Sequence, residues 1–568
     1  MKLKGAEILC ECLLREGVDT IFGYPGGAVL PLYDALYKYS QLRHIQARHE
    51  QGAIHAADAY YRAGGRIGVC VATSGPGATN LVTGLMNAKA DSIPMVAITG
   101  QVARHMIGKE AFQECPTIAI TQPCTKKNYM VHSADEIPDI VREAFVVANK
   151  GRPGPVLIDF PRDVQLELAE FKPAPPSPNG SKSIFLESPR KLQHAATLIN
   201  KAKRPVIVAG HGVLMSKASQ ELRQLAERSM IPVTNTLLGL GSFPRTHRLS
   251  LGMLGMHGTY WANYAINEAD VVLGLGVRFD DRVVGKPDSF APNAKLIHVD
   301  SDPAQVGRNL RVDAPLIGDV RVVLRALMPL IEKRNREEWI QQIERVRREH
   351  PSPLVPKDGR LPPQFVLSQL DKLVQEDEDV VVVTGVGQHQ MWTAQFVSLN
   401  HPDSLVTSGA QGTMGFEIPA AVGAQVARPN ATVWTVCGDG GFQMTVQELA
   451  TIVDEKLPIK MVIVNNGYLG MVRQWQELFF ENHIKATPIT SPDFVKLADA
   501  YGISAARVTE KDEVLPALRK AREHHWPYLL DMVVDGEVNV YPMVPSGAAF
   551  TETMEDPRWS ELRDMVGD

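Results

Sequence analysis

Short apolar runs that end in glycine-rich turns recur along the whole chain. Ten of them are rich in Val, Ile and Leu, with little polar alternation. They predict β-strands within residues 66–77, 94–101, 154–161, 204–212, 269–281, 294–303, 379–387, 431–441, 459–467 and 527–534. Helical patterns lie between these runs. Continuous apolar strands are typically buried on both faces of a parallel sheet, so the pattern predicts an α/β fold of doubly wound parallel sheets.

Two stretches rich in proline and polar residues, 171–183 and 348–363, interrupt this alternation and predict linkers. The 568 residues exceed what one hydrophobic core usually holds. We therefore expect three doubly wound parallel-sheet domains and a tail, with these bounds: 1–170, 186–345, 360–545 and 546–568. Fragments 69–80 and 153–164 resemble 433–445 and 526–537, which either duplication or convergence between parallel sheets explains.

The composition argues against several classes of protein. Apolar residues make up 44% and charged residues 22%, and the net charge of -5 offers no attraction for nucleic acid or acidic membranes. No apolar run reaches the roughly 18 residues of a membrane span, and the N-terminus has no signal-peptide core. Six scattered cysteines without a CxxC spacing predict reduced thiols in a cytoplasmic protein.

The most informative stretch is 437–471. It begins at a predicted strand end with Gly438, Asp439, Gly440 and Gly441, continues as a predicted helix over 442–454, and returns as a strand that ends at Asn466. If the crossover is standard, the two strand ends are adjacent. Asp439 and Asn466 would then offer oxygen ligands to Mg²⁺, with a diphosphate completing the octahedron. The alternative is a pair of turns that use Asp and Asn for their turn propensity.

This spacing of Gly-Asp-Gly and Asn-Asn resembles the diphosphate and Mg²⁺ motif of thiamine-diphosphate enzymes. Further motifs resemble the catalytic subunits of the acetolactate synthase family: FGYPGGAVLPLYDAL, RHEQGA, ATSGPGATNLVTGL, AFQE, GRPGPVLIDFPRDV, LGMLGMHGTYWAN, RFDDRV, GVGQHQMW, GTMGF, NNGYLGMVRQWQELF and MVPSGA. The resemblance runs from about residue 5 to 550. It implies a pyrimidine-binding, an FAD-binding Rossmann-like and a diphosphate-binding domain, in that order.

The resemblance also implies the roles of individual residues. A carboxylate on the pyrimidine nitrogen N1′ makes the cofactor's own amino group basic, and Glu50 is the matching residue; read alone, Glu50 is an ordinary helix-start carboxylate. Met414 supports the bent cofactor, and the backbone of Gly412 accepts from its amino group. The implied contacts of thiamine diphosphate are Glu50, Val386, Gly387, Gln388, His389, Gly412, Met414, Gly438, Asp439, Gly440, Gly441, Asn466, Tyr468, Gly470 and Met471. The implied Mg²⁺ ligands are Asp439, Asn466 and the backbone carbonyl of Tyr468.

The implied reaction decarboxylates pyruvate and joins the two-carbon unit to a second 2-keto acid, giving 2-acetolactate or 2-aceto-2-hydroxybutyrate. Arg278, Met256, Trp475 and Gln113 would contact the substrate, and Phe112 would line the same space. A structural FAD would lie on Arg152, Gly210, Gly212, Thr236, Leu237, Leu254, Met256, His257, Gly276, Arg278, Asp280, Asp300 and Asp319. Taken alone, the Gly-X-Gly fragments among them are weak signals.

In the family, Glu50 and the diphosphate motif of one cofactor come from different subunits. The resemblance therefore implies a homodimer at least, and leaves dimer and tetramer open. Because the sequence shows no appended regulatory domain, a separate regulatory small subunit is a further candidate partner. The chain departs from the usual family pattern at Ala103, Lys109, Arg162, Glu417 and Ile418, and the effect of these residues stays open. Two rival interpretations are a pyruvate oxidase that reduces its flavin and a catalytically silent paralogue; the motif GMVRQWQ disfavours the first and the intact Glu50, Asp439 and Asn466 disfavour the second.

Overall fold

Three six-stranded parallel sheets, each covered by helices, make up the computed structural model, which describes residues 2–173, 187–351, 353, 355, 356 and 359–558. The fold class predicted from the sequence is thereby confirmed. Much of the first predicted linker, four positions of the second and residues 559–568 of the predicted tail lie outside the described residues. The domain bounds themselves stay predictions.

The first sheet has the spatial order β3-β2-β4-β5-β7-β6, and a small antiparallel pair, β1 with β8, flanks it. Its strands are β1 Lys2–Lys4, β2 Thr20–Gly23, β3 Arg43–Gln46, β4 Gly68–Ala72, β5 Met95–Gln101, β6 Lys127–Met130, β7 Pro155–Pro161 and β8 Leu168–Glu170. The helices are α1 Gly5–Arg15, α2 Leu30–Leu36, α3 Glu50–Gly64, α4 Pro76–Thr79, α5 Val82–Asp91, α6 Thr117–Thr121, α7 Ile137–Asn149 and α8 Arg162–Leu166.

The second sheet has the order β11-β10-β9-β12-β13-β14, which is the dinucleotide-binding order 3-2-1-4-5-6 when counted along the chain. Its strands are β9 Pro205–Ala209, β10 Val233–Asn235, β11 Ser250–Met253, β12 Val271–Leu275, β13 Lys295–Asp300 and β14 Ala314–Ile317. The helices are α9 Pro189–Lys201, α10 His211–Met215, α11 Ser219–Ser229, α12 Tyr260–Glu268, α13 Asp281–Val284, α14 Val320–Leu327 and α15 Glu337–Glu349.

The third sheet has the order β16-β15-β17-β18-β20-β19. Its strands are β15 Val380–Thr384, β16 Leu405–Thr407, β17 Thr432–Gly438, β18 Lys460–Asn465, β19 Ser504–Val508 and β20 Tyr528–Val533. The helices are α16 Pro363–Glu376, α17 Gln388–Phe396, α18 Glu417–Ala427, α19 Asp439–Met444, α20 Glu448–Asp454, α21 Gly470–Phe479, α22 Phe494–Ala500 and α23 Lys511–Glu523.

The first and third sheets share one topology, 2-1-3-4-6-5 when the six strands of each are counted along the chain. The similar sequence fragments occupy equivalent places in it. Fragments 69–80 and 433–445 include all but the first residue of β4 and β17, the third strands. Fragments 153–164 and 526–537 contain β7 and β20, the sixth strands. An identical strand order favours duplication over convergence, which the sequence left open.

Helices α3 and α18 join the first and third domains. A side chain at Gly423 of α18 would collide with the backbone of Ala56 in α3, and the apolar residues of both helices belong to one buried cluster that extends into both sheets. The glycine therefore allows close packing of the helices. Because this contact is continuous core, it sets where the start of α3 lies relative to the third sheet.

All ten predicted strands are present, and β17 pairs with β18 in parallel as the crossover argument required. The predicted helix over 442–454 is wrong in its bounds. Helix α19 begins at Asp439, and a break after Met444 separates it from α20. Thr445 lies in that break and donates from Oγ1 to the carbonyl of Gly415 at 2.9 Å. All six cysteines are buried free thiols.

Candidate active site

A cavity lies at the carboxyl end of the third sheet. Every described residue that lines it belongs to the third domain. The lining comes from Met414, from the ends of β17 and β18, and from the turns and helices that follow β15, β17 and β18: Val386, Gly387, Gln388, His389, Trp392, Met414, Gly438, Asp439, Gly440, Gly441, Val464, Asn466, Tyr468, Leu469, Gly470, Met471 and Val472. All but one of the third-domain residues expected around thiamine diphosphate are among them. The exception is Gly412, which lies two residues before Met414 and has φ = 60°.

Glycines leave this cavity open to a ligand. A side chain at Gly438 would lie 2.9 Å from Nδ1 of His389, and one at Gly440 would lie 2.8 Å from Leu469. Burial lowers the pKa of His389 to about 3, so its imidazole is neutral. Its Nε2 is buried without a hydrogen-bond partner among the described residues. A backbone cradle with a neutral donor or acceptor at its edge fits a diphosphate.

Asp439 and Asn466 converge at the mouth of this cradle. Asp439 is buried, and its Oδ2 accepts from the backbone of Gly467 at 3.0 Å and from Ser491 Oγ at 3.2 Å. Asn466 Oδ1 accepts from the backbone N–H of Tyr468 at 3.1 Å. Burial raises the pKa of Asp439 to about 6 because it disfavours the charged form.

A magnesium ion held jointly with a phosphate fits this donor set. In the part of the chain that the structure describes, no group of three or more His, Cys, Asp or Glu side chains could hold a metal by itself. Asp439 brings one carboxylate and Asn466 one amide oxygen, which leaves ligand positions for phosphate oxygens and water. Ser491 and Gly467, which orient the carboxylate, are residues that sequence reasoning missed.

The side chain of Gln388 connects the segments that form the cradle through hydrogen bonds. Its Oε1 accepts from Asn466 Nδ2 at 3.2 Å, and its Nε2 donates to Gln474 Oε1 at 3.0 Å and to the carbonyl of Val538 at 3.1 Å. A side chain at Gly470 would collide with Gln388. The amide thus links the turn after β15 to the turn after β18, which fixes the width of the cavity.

The loop that carries Gly412 and Met414 is held by the first domain. Asp91 accepts from the backbone N–H groups of Gly409 at 2.9 Å and Ala410 at 2.8 Å. Asn87 Oδ1 accepts from Ser408 Oγ at 2.6 Å. Arg62 forms buried ion pairs with Asp58 and Asp91. This network, which we call the α5 junction, was not predicted, because its members are distant in sequence from the loop they hold.

Glu50 is the first residue of α3 and is buried, with 9% of its surface exposed. Asn80 Nδ2 donates to its Oε2 at 2.9 Å, and its Oε1 lies 3.2 Å from where a side chain at Gly77 would be. Gln113 lies on the same side, 3.0 Å from a side chain at Gly75, whereas Phe112 is 87% exposed. Glu50, Phe112 and Gln113 do not line the third-domain cavity.

The residues expected at FAD lie at the carboxyl ends of all six strands of the second sheet, except Arg152, which comes from the first domain. Asp300 ends β13, and burial raises its pKa to about 6. His257, after β11, is buried, and neither ring nitrogen has a partner among the described residues. Asp319 instead caps α14 by accepting from two backbone N–H groups. The carboxyl end of this sheet, with an imidazole that lacks a partner among the described residues, fits a bound cofactor. Asp319 is the exception among the expected contacts, because its carboxylate already caps a helix.

Three family profiles cover most of the chain. The profiles described as thiamine pyrophosphate enzyme, N-terminal TPP binding domain, central domain and C-terminal TPP binding domain match residues 3–120, 192–327 and 385–532, respectively. Acetolactate synthase large subunit IlvB1 of Mycobacterium tuberculosis is 47% identical over 97% of this chain and 91% of that protein. The chain belongs to the acetolactate synthase family.

Other organisms also contain similar members of the acetolactate synthase family. A probable acetolactate synthase large subunit of Methanocaldococcus jannaschii is 46% identical over 98% of this chain and 96% of its own. Acetolactate synthase 1, chloroplastic, of Nicotiana tabacum is 44% identical, with 97% of this chain and 85% of that protein covered. Thiamine pyrophosphate is thiamine diphosphate, so the two matched binding domains are those of the predicted cofactor.

In this acetolactate synthase family member, Arg282 connects two of the expected substrate contacts. Its guanidinium lies 5.8 Å from the ring centre of Trp475 on α21, and its Nη1 lies 3.2 Å from the sulfur of Met256. Trp475 also contacts Phe479, with ring centres 5.2 Å apart. Arg278 points elsewhere: it donates to the carbonyl of Ala90 at 3.2 Å and to Asp280 at 2.9 Å. Arg282 lies in the quoted motif RFDDRV, so the signal to predict it was present.

Proposed function

We propose that this chain is an acetolactate synthase. It would release carbon dioxide from pyruvate and join the remaining two-carbon unit to a second 2-keto acid, giving 2-acetolactate from pyruvate or 2-aceto-2-hydroxybutyrate from 2-ketobutyrate. These products begin the valine, leucine and isoleucine routes. The observation that carries the proposal is the complete glycine cradle with Asp439 and Asn466 in a chain 47% identical to acetolactate synthase over nearly its full length.

Thiamine diphosphate supplies the carbon nucleophile and the electron sink that decarboxylation of a 2-keto acid requires. The cradle would hold its diphosphate through backbone N–H groups of Gly440 and Gly441, with Mg²⁺ on Asp439, Asn466 and the carbonyl of Tyr468. Met414 lies 3.7 Å from a side-chain position at Gly440, so a bulky thioether borders the same space and would support the bent cofactor.

Glu50 would hold a proton at the pyrimidine nitrogen N1′. Two features support this role: the carboxylate is buried, and Asn80 orients it through Oε2. Burial strengthens a hydrogen bond between a carboxylate and a ring nitrogen because water no longer competes for either partner.

A second copy of the chain would complete the site. Glu50, Gln113 and the exposed Phe112 lie on the first domain, outside the cavity that contains Asp439. Phe112 leaves 87% of its surface exposed, and aromatic residues are enriched at the cores of protein–protein interfaces. We propose that Glu50 of one subunit serves the cradle of the other, so that the active unit is at least a homodimer.

FAD would be a structural group, since the proposed reaction transfers no net electrons. Arg152, Gly210, Gly212, Gly276 and Asp300 would contact it, together with Thr236, Leu237, Leu254, Met256, His257, Arg278 and Asp280. Arg278 would turn from Ala90 towards the acceptor carboxylate. Two of the relatives are named large subunits, and a small regulatory subunit is therefore a partner to test by copurification.

Product analysis tests the proposal directly. Purified protein with thiamine diphosphate, Mg²⁺ and FAD is given pyruvate, with and without 2-ketobutyrate, and carbon dioxide, acetolactate and acetohydroxybutyrate are quantified. We expect one carbon dioxide per acetohydroxy acid and no net flavin reduction. Acetate or acetyl phosphate with steady flavin reduction would instead identify an oxidase, and the absence of carbon dioxide would identify a silent paralogue.

A further inference from the structure

Glu417 contributes a carboxylate to the wall behind the diphosphate cradle. It is the first residue of α18 and is fully buried, and neither oxygen has a hydrogen-bond partner among the described residues. The carboxylate lies between two glycine turns. A side chain at Gly385, after β15, would collide with both oxygens, and a side chain at Gly441, after β17, would collide with Oε1.

Among the described residues on the elements packed against it, no cation is free to neutralise this carboxylate. From α3, Arg62 lies 5.6 Å from the ring centre of Phe416 but is paired with Asp58 and Asp91, and His55 is buried with its pKa lowered to about 3. Cys437 on β17 is a buried thiol, and His389 on α17 is neutral. The remaining acids on these elements are Glu50, Glu448 and Asp454 on α20, and Asp439. Glu448 accepts from the backbone N–H of Arg48, Asp454 pairs with the Arg48 side chain, and Asp439 accepts from Gly467 and Ser491.

A buried carboxyl group without a partner is therefore more stable in its neutral, protonated form than as a carboxylate. Burial raises the pKa of Glu417 to about 7. Because Gly441 also lines the cavity, an ionised Glu417 and a bound diphosphate would be like charges on the two sides of one glycine turn.

We propose that Glu417 is a positioning residue that braces the Gly385 and Gly441 turns as a neutral acid, and that its ionisation weakens diphosphate binding. The inference rests on the proposed cofactor role of the cavity. By reciprocity, bound diphosphate disfavours the ionisation of Glu417, so cofactor binding takes up a proton once the pH exceeds the pKa of the cofactor-free protein. One linked proton changes an affinity by at most about tenfold per pH unit.

Calorimetric titration with thiamine diphosphate and Mg²⁺ from pH 6 to 9 tests this inference without any substrate. Above pH 7 we expect the Kd of the parent protein to rise by up to about tenfold per pH unit. We expect Glu417→Gln, which keeps the shape and cannot ionise, to remove most of that rise. Asp377→Asn is the matched control and should titrate like the parent protein, since Asp377 has a raised pKa but lies before β15, at the opposite end of that strand from the cavity.

Two further measurements keep the inference falsifiable should the amide variant fold poorly. Titrations of the parent protein in buffers with different ionisation heats should show proton uptake near pH 8, and Glu417→Gly should abolish it. The same pH dependence in parent and variant, or no proton uptake by the parent, would overturn the inference. Because binding is measured without pyruvate, these results do not depend on whether acetolactate is formed.

Discussion

Glu50 is a single carboxylate on which the proposed proton chemistry depends. We predict that Glu50→Gln lowers kcat by about 10²- to 10⁴-fold, the usual contribution of a positioned acid or base, because an amide cannot share a proton with N1′. Thiamine diphosphate affinity should change far less, since the cradle is on another domain. The measurement is acetolactate formation at saturating cofactor, with Glu143→Gln on the exposed face of α7 as control. Undiminished turnover would refute the role.

Trp475 is a second single side chain with a predicted role, because its contact with one methyl group would decide which acceptor is used. We predict that Trp475→Leu lowers the preference for 2-ketobutyrate over pyruvate by about 10- to 200-fold, the range that one methylene supplies in an apolar pocket. The two products are measured from mixtures of both acceptors. Phe479→Leu, which loosens the ring pair without removing the indole, is the control, and an unchanged product ratio in Trp475→Leu would contradict the assignment.

The α5 junction shows how one helix positions a loop in another domain. Asp91→Asn would leave Arg62 partly unpaired in a buried site and weaken the acceptor of two loop N–H groups. We predict a loss of about 3–5 kcal/mol in the free energy of unfolding, the usual cost of breaking a buried ion pair. The measurement is equilibrium unfolding in urea, in which the midpoint should fall to a lower urea concentration. Asp454→Asn, at a partly exposed pair with Arg48, should cost about 1 kcal/mol or less.

Loss of stability alone would not reveal positioning, so the same variant is tested with the cofactor. Since the loop held by Asp91 carries Gly412 and Met414, we expect Asp91→Asn to raise the Kd for thiamine diphosphate and to lower kcat even at saturating cofactor. If Asp91→Asn and the parent protein had equal kcat at saturating cofactor, the α5 junction would contribute to stability only.

For the whole molecule, the decisive question is whether one cofactor is bound by two subunits. We predict that Glu50→Gln and Asp439→Asn subunits, each inactive alone, regain about a quarter of the normal activity when coexpressed and randomly paired, because half the dimers are mixed and each contains one intact site. Tagged mixed dimers isolated by two-step affinity purification provide the measurement. Inactive mixed dimers would mean that both residues act within one subunit.

Strand prediction succeeded where the strand is buried on both faces. The ten predicted strands include none of the six sheet edges, β3, β6, β11, β14, β16 and β19. Edge strands are covered less completely, and here they are only three to five residues long, so their sequences do not show a long apolar run. Of the inner strands, β2 and β10 also escaped prediction, and both have at most four residues.

The sequence by itself determined the fold class and the third-domain cradle, because strand ends, glycines and Asp439 with Asn466 are encoded within one stretch of chain. Only the tertiary structure decided what holds and surrounds the cradle. Asp91 reaches Gly409 across more than 300 residues of chain, Arg282 joins Met256 to Trp475, and Glu417 is enclosed by two separate turns. Side-chain partners and burial depend on packing between distant segments, and no local pattern of hydrophobic and polar residues contains that information.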